Sequence, residues 1–139
     1  MLLLVTVTAC SAEVSDAEVL ASWSETEFGQ SALEAVVPRG PGRVVQPEEL
    51  PGLIAALPRT EESDRLQDPP DGAVVLVHGY QKCQQQRPHV DRQQGTVWFA
   101  VPEDDGDVYC AWAPYTVELW SVLEGTIGGP GPEVVEAPE

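Results

Sequence analysis

The second half of the chain consists largely of apolar runs of strand length, and this constrains the fold more than any other feature. Ala73 to Tyr80 contains Val74-Val75-Leu76-Val77, and Thr96 to Val101 is β-branched and aromatic. Val108 to Ala113 and Tyr115 to Val122 follow, divided only by Pro114. β-Branched and aromatic side chains fit the pleated backbone. Between the second and third runs lies Pro102-Glu103-Asp104-Asp105-Gly106-Asp107, whose Asp-Gly supplies the positive φ angles of a hairpin turn. Four strands with short connections predict an antiparallel meander. Side chains alternate along a strand, so Val75, Val77 and Cys83, then Val97, Phe99 and Val101, then Val108, Cys110 and Trp112, form three expected inward faces.

The first half reads differently. Arg39-Gly40-Pro41-Gly42 is a turn and Arg43-Val44-Val45 a short strand. Pro47-Glu48-Glu49-Leu50 starts a helix, with Pro in the first turn and acids against the positive end of its dipole. Leu50, Leu53, Ile54 and Leu57 recur at helical spacing and make one apolar face, and Pro58 stops it. Thr60 to Gly72 is polar, with Pro69-Pro70 and Asp71-Gly72, and reads as a loop. Ser15-Asp16-Ala17-Glu18 has the form of a capping box, marking a second short helix. The expected fold class is therefore α+β: a small single domain with a four-stranded antiparallel meander and one or two short helices.

Residues 1–9 form an apolar run without a charged side chain, ending in the small residue Ala9. That is the form of a secretory signal's apolar core and cleavage site. It is too short to span a bilayer, which takes about 20 apolar residues. Val7-Thr8-Ala9-Cys10 resembles the bacterial lipobox, in which the cysteine thiol receives a diacylglyceryl group and the leader is cut just before it. No Lys or Arg precedes Arg39, so either the start of the chain is placed too late or the leader is a truncated one. The alternative is a buried N-terminal strand with a core cysteine. Heavy use of Ala, Val, Gly, Pro and acids, with one lysine and no asparagine, resembles chains of actinobacterial type.

The lipobox resemblance sets the expected organisation: 1–9 truncated signal peptide, 10–22 lipidated cysteine and tether, 23–127 single disulfide-bonded domain, 128–139 disordered acidic tail. It also accounts for the odd cysteine. With Cys10 acylated, Cys83 and Cys110 remain as a pair, which outside the cytosol should oxidise. Such a bridge stabilises by roughly 3 kcal/mol in the chain-entropy model.

The net charge is −16, from 23 acidic and 7 basic side chains. Nucleic-acid binding rests on cations that neutralise phosphate, so no nucleic-acid partner is expected. Anionic headgroups would also repel the domain, leaving the lipid on Cys10 as its hold on the membrane. Val75-Leu76-Val77-His78-Gly79-Tyr80 resembles the strand-plus-His-Gly segment of α/β-hydrolases. No Gly-x-Ser-x-Gly accompanies it; the nearest match is Gly29-Gln30-Ser31-Ala32-Leu33. His78, Cys83, His89 and Cys110 match no standard zinc spacing, and the acids at 103–107 do not follow the calcium-loop order of an EF-hand. No cofactor or metal is expected. Aromatic residues crowd the last third, and Trp120, of opposite parity to Val117 and Leu119, is with Tyr115 the candidate contact surface.

These features together imply an exported lipoprotein held at the outer face of the cell membrane. It is expected to be a non-catalytic module for a protein or envelope component; the alternative is a small extracytoplasmic hydrolase using His78. Cys10→Ala should move the protein from the membrane fraction to the soluble fraction on cell fractionation, and retention at the membrane would rule out the anchor.

Overall fold

The computed structural model describes residues 12–14, 16–66, 68–83, 87–101, 113–129 and 131–138. The elements in chain order are β1 (Ala12–Glu13), β2 (Glu18–Ser24), α1 (Glu25–Phe28), α2 (Gln30–Val36), β3 (Arg43–Val45), α3 (Leu50–Ala56) and α4 (Glu61–Asp64). The second half adds β4 (Ala73–Gln81), β5 (His89–Gln93), β6 (Thr96–Ala100), β7 (Tyr115–Leu123), α5 (Glu124–Ile127) and β8 (Glu133–Val134). The chain has the expected α+β class.

Two four-stranded sheets stack. One has the order β2-β7-β4-β3 and is antiparallel throughout. The other has the order β1-β5-β6-β8, antiparallel except for the parallel pair β6–β8. The first sheet is the middle layer. One of its faces carries Ala21, Trp23, Val75, Val77, Tyr115, Val117 and Leu119 against Leu33 of α2 and Leu53 and Leu57 of α3. Its other face carries Val74, Leu76, Trp120 and Val122 against Val90, Val97 and Phe99 of the second sheet. The Val74–Val77 run is continuous because β4 is buried on both faces, and continuous apolar runs are what such strands require.

A four-stranded antiparallel sheet is present, but its strands are not the expected meander. β4 pairs with β7 along its whole length, from Ala73↔Leu123 to Gln81↔Tyr115. β6 belongs to the other sheet, in a hairpin with β5. That hairpin turns on Gln94-Gly95, with φ of 44° and 84°, the two positive angles of a two-residue connection whose twist matches the strands. The expected single set of inward faces divides accordingly: Val75 and Val77 face the helices, while Val97 and Phe99 face the middle sheet. The run Val108 to Trp112 and the turn at 102–107 lie outside the described residues.

Both ends of the domain are more structured than expected. Within the stretch 10–22, assigned as a tether, Ala12–Glu13 pairs with β5, Val14 is buried, and β2 begins at Glu18. The short helix expected from Ser15-Asp16-Ala17-Glu18 is not seen at residues 16–18, where β2 begins at Glu18; Ser15 lies outside the described residues. Within 128–139, assigned as a disordered tail, Glu133–Val134 pairs with β6, and Val134 packs against the inter-sheet core. The loop 60–72 contains α4, whose first turn is closed by a capping box between Thr60 and Ser63. α3 keeps the expected leucine stripe, with Pro51 in its first turn and Leu57 as its C-cap, but it starts at Leu50 rather than Pro47: residues 47–49 form a turn, Glu49 is the N-cap, and the first helical turn holds no acid.

The middle sheet has one point of very close approach. The Tyr115 ring lies over Gly79, and its hydroxyl donates to the Val37 carbonyl (2.5 Å), tying β7 to the end of α2. A Cβ at Gly79 would overlap the Tyr115 hydroxyl and stand 3.1 Å from the Val37 carbonyl. Overpacking a tight core costs about 1–3 kcal/mol, and here the Tyr115–Val37 hydrogen bond would also be displaced. Gly79→Ala should therefore lower the unfolding free energy by about 3 kcal/mol in urea titration, whereas an unchanged midpoint would mean that the ring is not held as described.

Candidate functional site

The polar side chains with the greatest chemical potential converge on the inter-sheet face, at the end of β4 and the start of β7. The alternation that points Val74 and Leu76 toward the second sheet carries on to His78 and Tyr80. On β7 the same face holds Glu118, directly across from His78 in the register. Glu118 is 3% exposed, and a carboxylate so placed requires partners. It has two: the Tyr80 hydroxyl donates to Oε1, and the Lys82 ammonium lies 3.5 Å from Oε2.

The His78 ring is enclosed. It stacks on Tyr80 at 4.3 Å between centroids and on Phe99 at 4.4 Å, each 12° from parallel. Burial lowers its pKa to about 4, against the opposing effect of the Gly40 backbone carbonyl. The imidazole is thus neutral at physiological pH. Its Nδ1, like Trp120 Nε1, has no hydrogen-bond partner among the described residues. Burial, reinforced by the neighbouring Glu118 charge, raises the Tyr80 pKa far above the usual phenol range. The Tyr80 proton is therefore fixed on oxygen, where it serves the hydrogen bond to Glu118. As arranged, the cluster joins β4 to β7 through a satisfied carboxylate, with the His78 ring stacked between Tyr80 and Phe99.

The two residues assigned to a contact surface are both buried, which corrects that assignment. Trp120 is 4% exposed, and its ring tilts against Phe99 at 5.7 Å. A one-sided sheet would have left it in solvent, but the second sheet covers that face. Tyr115 is fully buried; its amide donates to Glu25 Oε1 at 2.6 Å, and burial pushes its pKa up to about 12. Cys83 is buried and disulfide-bonded, while Cys10 and Cys110 lie outside the described residues. His89 Nε2 lies 3.3 Å from Asp91 Oδ1 on its own strand, and the described residues contain no cluster of three His, Cys, Asp or Glu side chains placed to hold a metal.

Sequence reasoning missed a groove of about 520 Å³ at the opposite end of the middle sheet. Val44 and Val74 contribute to its lining, the first turn of α3 supplies Leu50 and Pro51, and the Asp68–Gly72 loop closes the far side. Backbone bonds hold that loop in shape: Ala73 N–H donates to the Pro70 carbonyl (3.0 Å), and Glu124 N–H to that of Gly72 (2.8 Å). The only sequence signal was the Pro69-Pro70-Asp71-Gly72 run. It marks a stiff turn, but does not reveal what the turn borders. No family model, curated protein or solved structure matches the chain.

Because His78 is neutral in the folded state and protonates near pH 6.5 when unfolded, the unfolded chain takes up the proton first on acidification. Stability should thus fall as the pH drops from about 6.5 to 4, by about 3 kcal/mol in full, and be unaffected above neutrality. His78→Phe keeps the ring stack and removes the proton site. Urea unfolding of both proteins at pH 7 and pH 4.5 should show a smaller acid loss for the variant; equal losses would mean that His78 titrates normally in the fold.

Proposed function

We propose that this chain is a non-catalytic binding module, carried at the outer face of the cell membrane by a diacylglyceryl group on Cys10. The preformed groove bordered by Val44, Leu50 and the Asp68–Gly72 loop supports this most directly. It is concave, part-apolar and held by backbone hydrogen bonds, as ligand sites generally are. No helix among the described residues is long and apolar enough to cross a membrane, and the proposed lipid would serve as the hold. Cys110 is the proposed partner of Cys83, closing a bridge at the opposite end of β4 from the groove.

A hydrolase using His78 would need that ring open to substrate and beside a nucleophile, whereas it lies enclosed between Tyr80 and Phe99. The hydroxyl of the stacked Tyr80 is engaged by Glu118. The groove contains none of these groups and suits recognition of a protein or envelope component.

Capture from the protein's own cell envelope, by full-length wild type and by Gln46→Trp, tests the module directly. Gln46 is exposed at the groove, and a tryptophan there should fill it without touching the core. A component retained by wild type and lost from the variant is the expected result. Equal retention by both, or none by either, would refute a groove-centred module.

A further inference from the structure

We infer that the groove takes a cationic stretch of a partner polypeptide bearing apolar side chains at intervals. This rests on the binding-module reading above and specifies its ligand. Two independent properties of the groove support it. The first is charge: its lining includes the carboxylates of Asp68, Asp71 and Glu124, and no basic side chain. The second is apolar surface: Val44, Leu50, Pro47 and Pro51 contribute to the same lining. A small hydrophilic cation would leave that surface unused, and an acidic or neutral segment would leave the carboxylates unmatched.

The surroundings extend the site. Asp68, Pro69 and Pro70 also line a second depression, which includes Glu18, Val19 and Arg65 and has a volume of about 460 Å³. The Asp68–Pro70 ridge thus has a concavity on each side. The two large hydrophobic side chains most exposed among the described residues, Val19 (44%) and Leu123 (43%), lie at this end of the sheet. An extended segment crossing the ridge could set alternate side chains into the two depressions, as strand geometry allows. Complementary charge would steer its approach, in a chain whose net charge is −16.

The test uses a fluorescently labelled alternating Leu-Lys peptide, its Leu-Glu counterpart and spermidine, titrated against the full chain by anisotropy at physiological salt. Asp68→Lys combined with Asp71→Lys reverses the groove charge. Glu27→Lys combined with Glu136→Lys makes the same change in net charge at exposed positions that do not line the groove. The expected result is binding of the Leu-Lys peptide that weakens about tenfold or more in the groove variant and less than twofold in the control. The Leu-Glu peptide should not bind, and spermidine should not displace the Leu-Lys peptide at equal charge concentration. Equal weakening in both variants would show general attraction to an acidic protein and overturn the inference. Displacement by spermidine would likewise reduce the site to a cation sink. If the Leu-Lys peptide fails to bind while Gln46→Trp still abolishes envelope capture, the cationic ligand is wrong and the module stands; if envelope capture fails as well, both fall.

Discussion

The fold depends on β4 and β7 being buried on both faces at once. Along their paired length, side chains of one parity meet the helices and those of the other meet the second sheet. Each fully buried Val or Leu contributes roughly 1.5–3 kcal/mol relative to exposure, so these two strands supply a large share of the stabilisation available to so small a domain. Neither neighbouring layer has a partner for its apolar face without them. The short helices α2 and α3 each bury a narrow stripe, and the second sheet is built around one hairpin with two-residue strands at its edges.

Two-sided burial also accounts for the polar cluster. A strand enclosed on both faces has no solvent side on which to place a charge, so Glu118 can be tolerated only with donors supplied from neighbouring positions. Tyr80 and Lys82 provide them, and the His78 ring packs as an aromatic between Tyr80 and Phe99. Polar groups satisfied in this way favour one register of β4 on β7, because a slip by one residue would put Glu118 and Tyr80 on opposite faces of the sheet. The proposed ligand site lies at the other end of the same strands, where the sheet stops and the Asp68–Gly72 loop leaves a groove.

Much of the framework was legible from residue patterns. The α3 face came from its leucine spacing, and the strand character of β4, β6 and β7 from their β-branched and aromatic content. What the patterns could not show was which sheet each strand joins. Val74–Val77 is apolar at both parities and contains no sign of a preferred face, while on β7 Trp120 and Val122 share their parity with Thr116 and Glu118, a mixed pattern that resembles a solvent side. Trp120 was consequently placed in solvent when a whole sheet lies against it. β2 was overlooked for the opposite reason: Glu18, Ser22 and Ser24 give it a polar appearance, and only Ala21 and Trp23, two residues apart, mark its core side. The groove was invisible because its lining comes from four separate stretches of chain, joined only by folding.

The early start of β1 matters for the proposed anchor. Ala12 is already paired with Arg92, two positions beyond Cys10. Two residues reach at most about 7 Å, roughly one Debye length under physiological conditions. A domain with a net charge of −16 and so short a leash would be held within the zone where anionic headgroups repel it. The repulsion could be relieved only by pivoting, so the domain would stand upright on its lipid, and its range would be that of a sentry posted on the bilayer. It would sample partners lying in or just above its own leaflet, at high local concentration, and would miss those a longer stalk could reach.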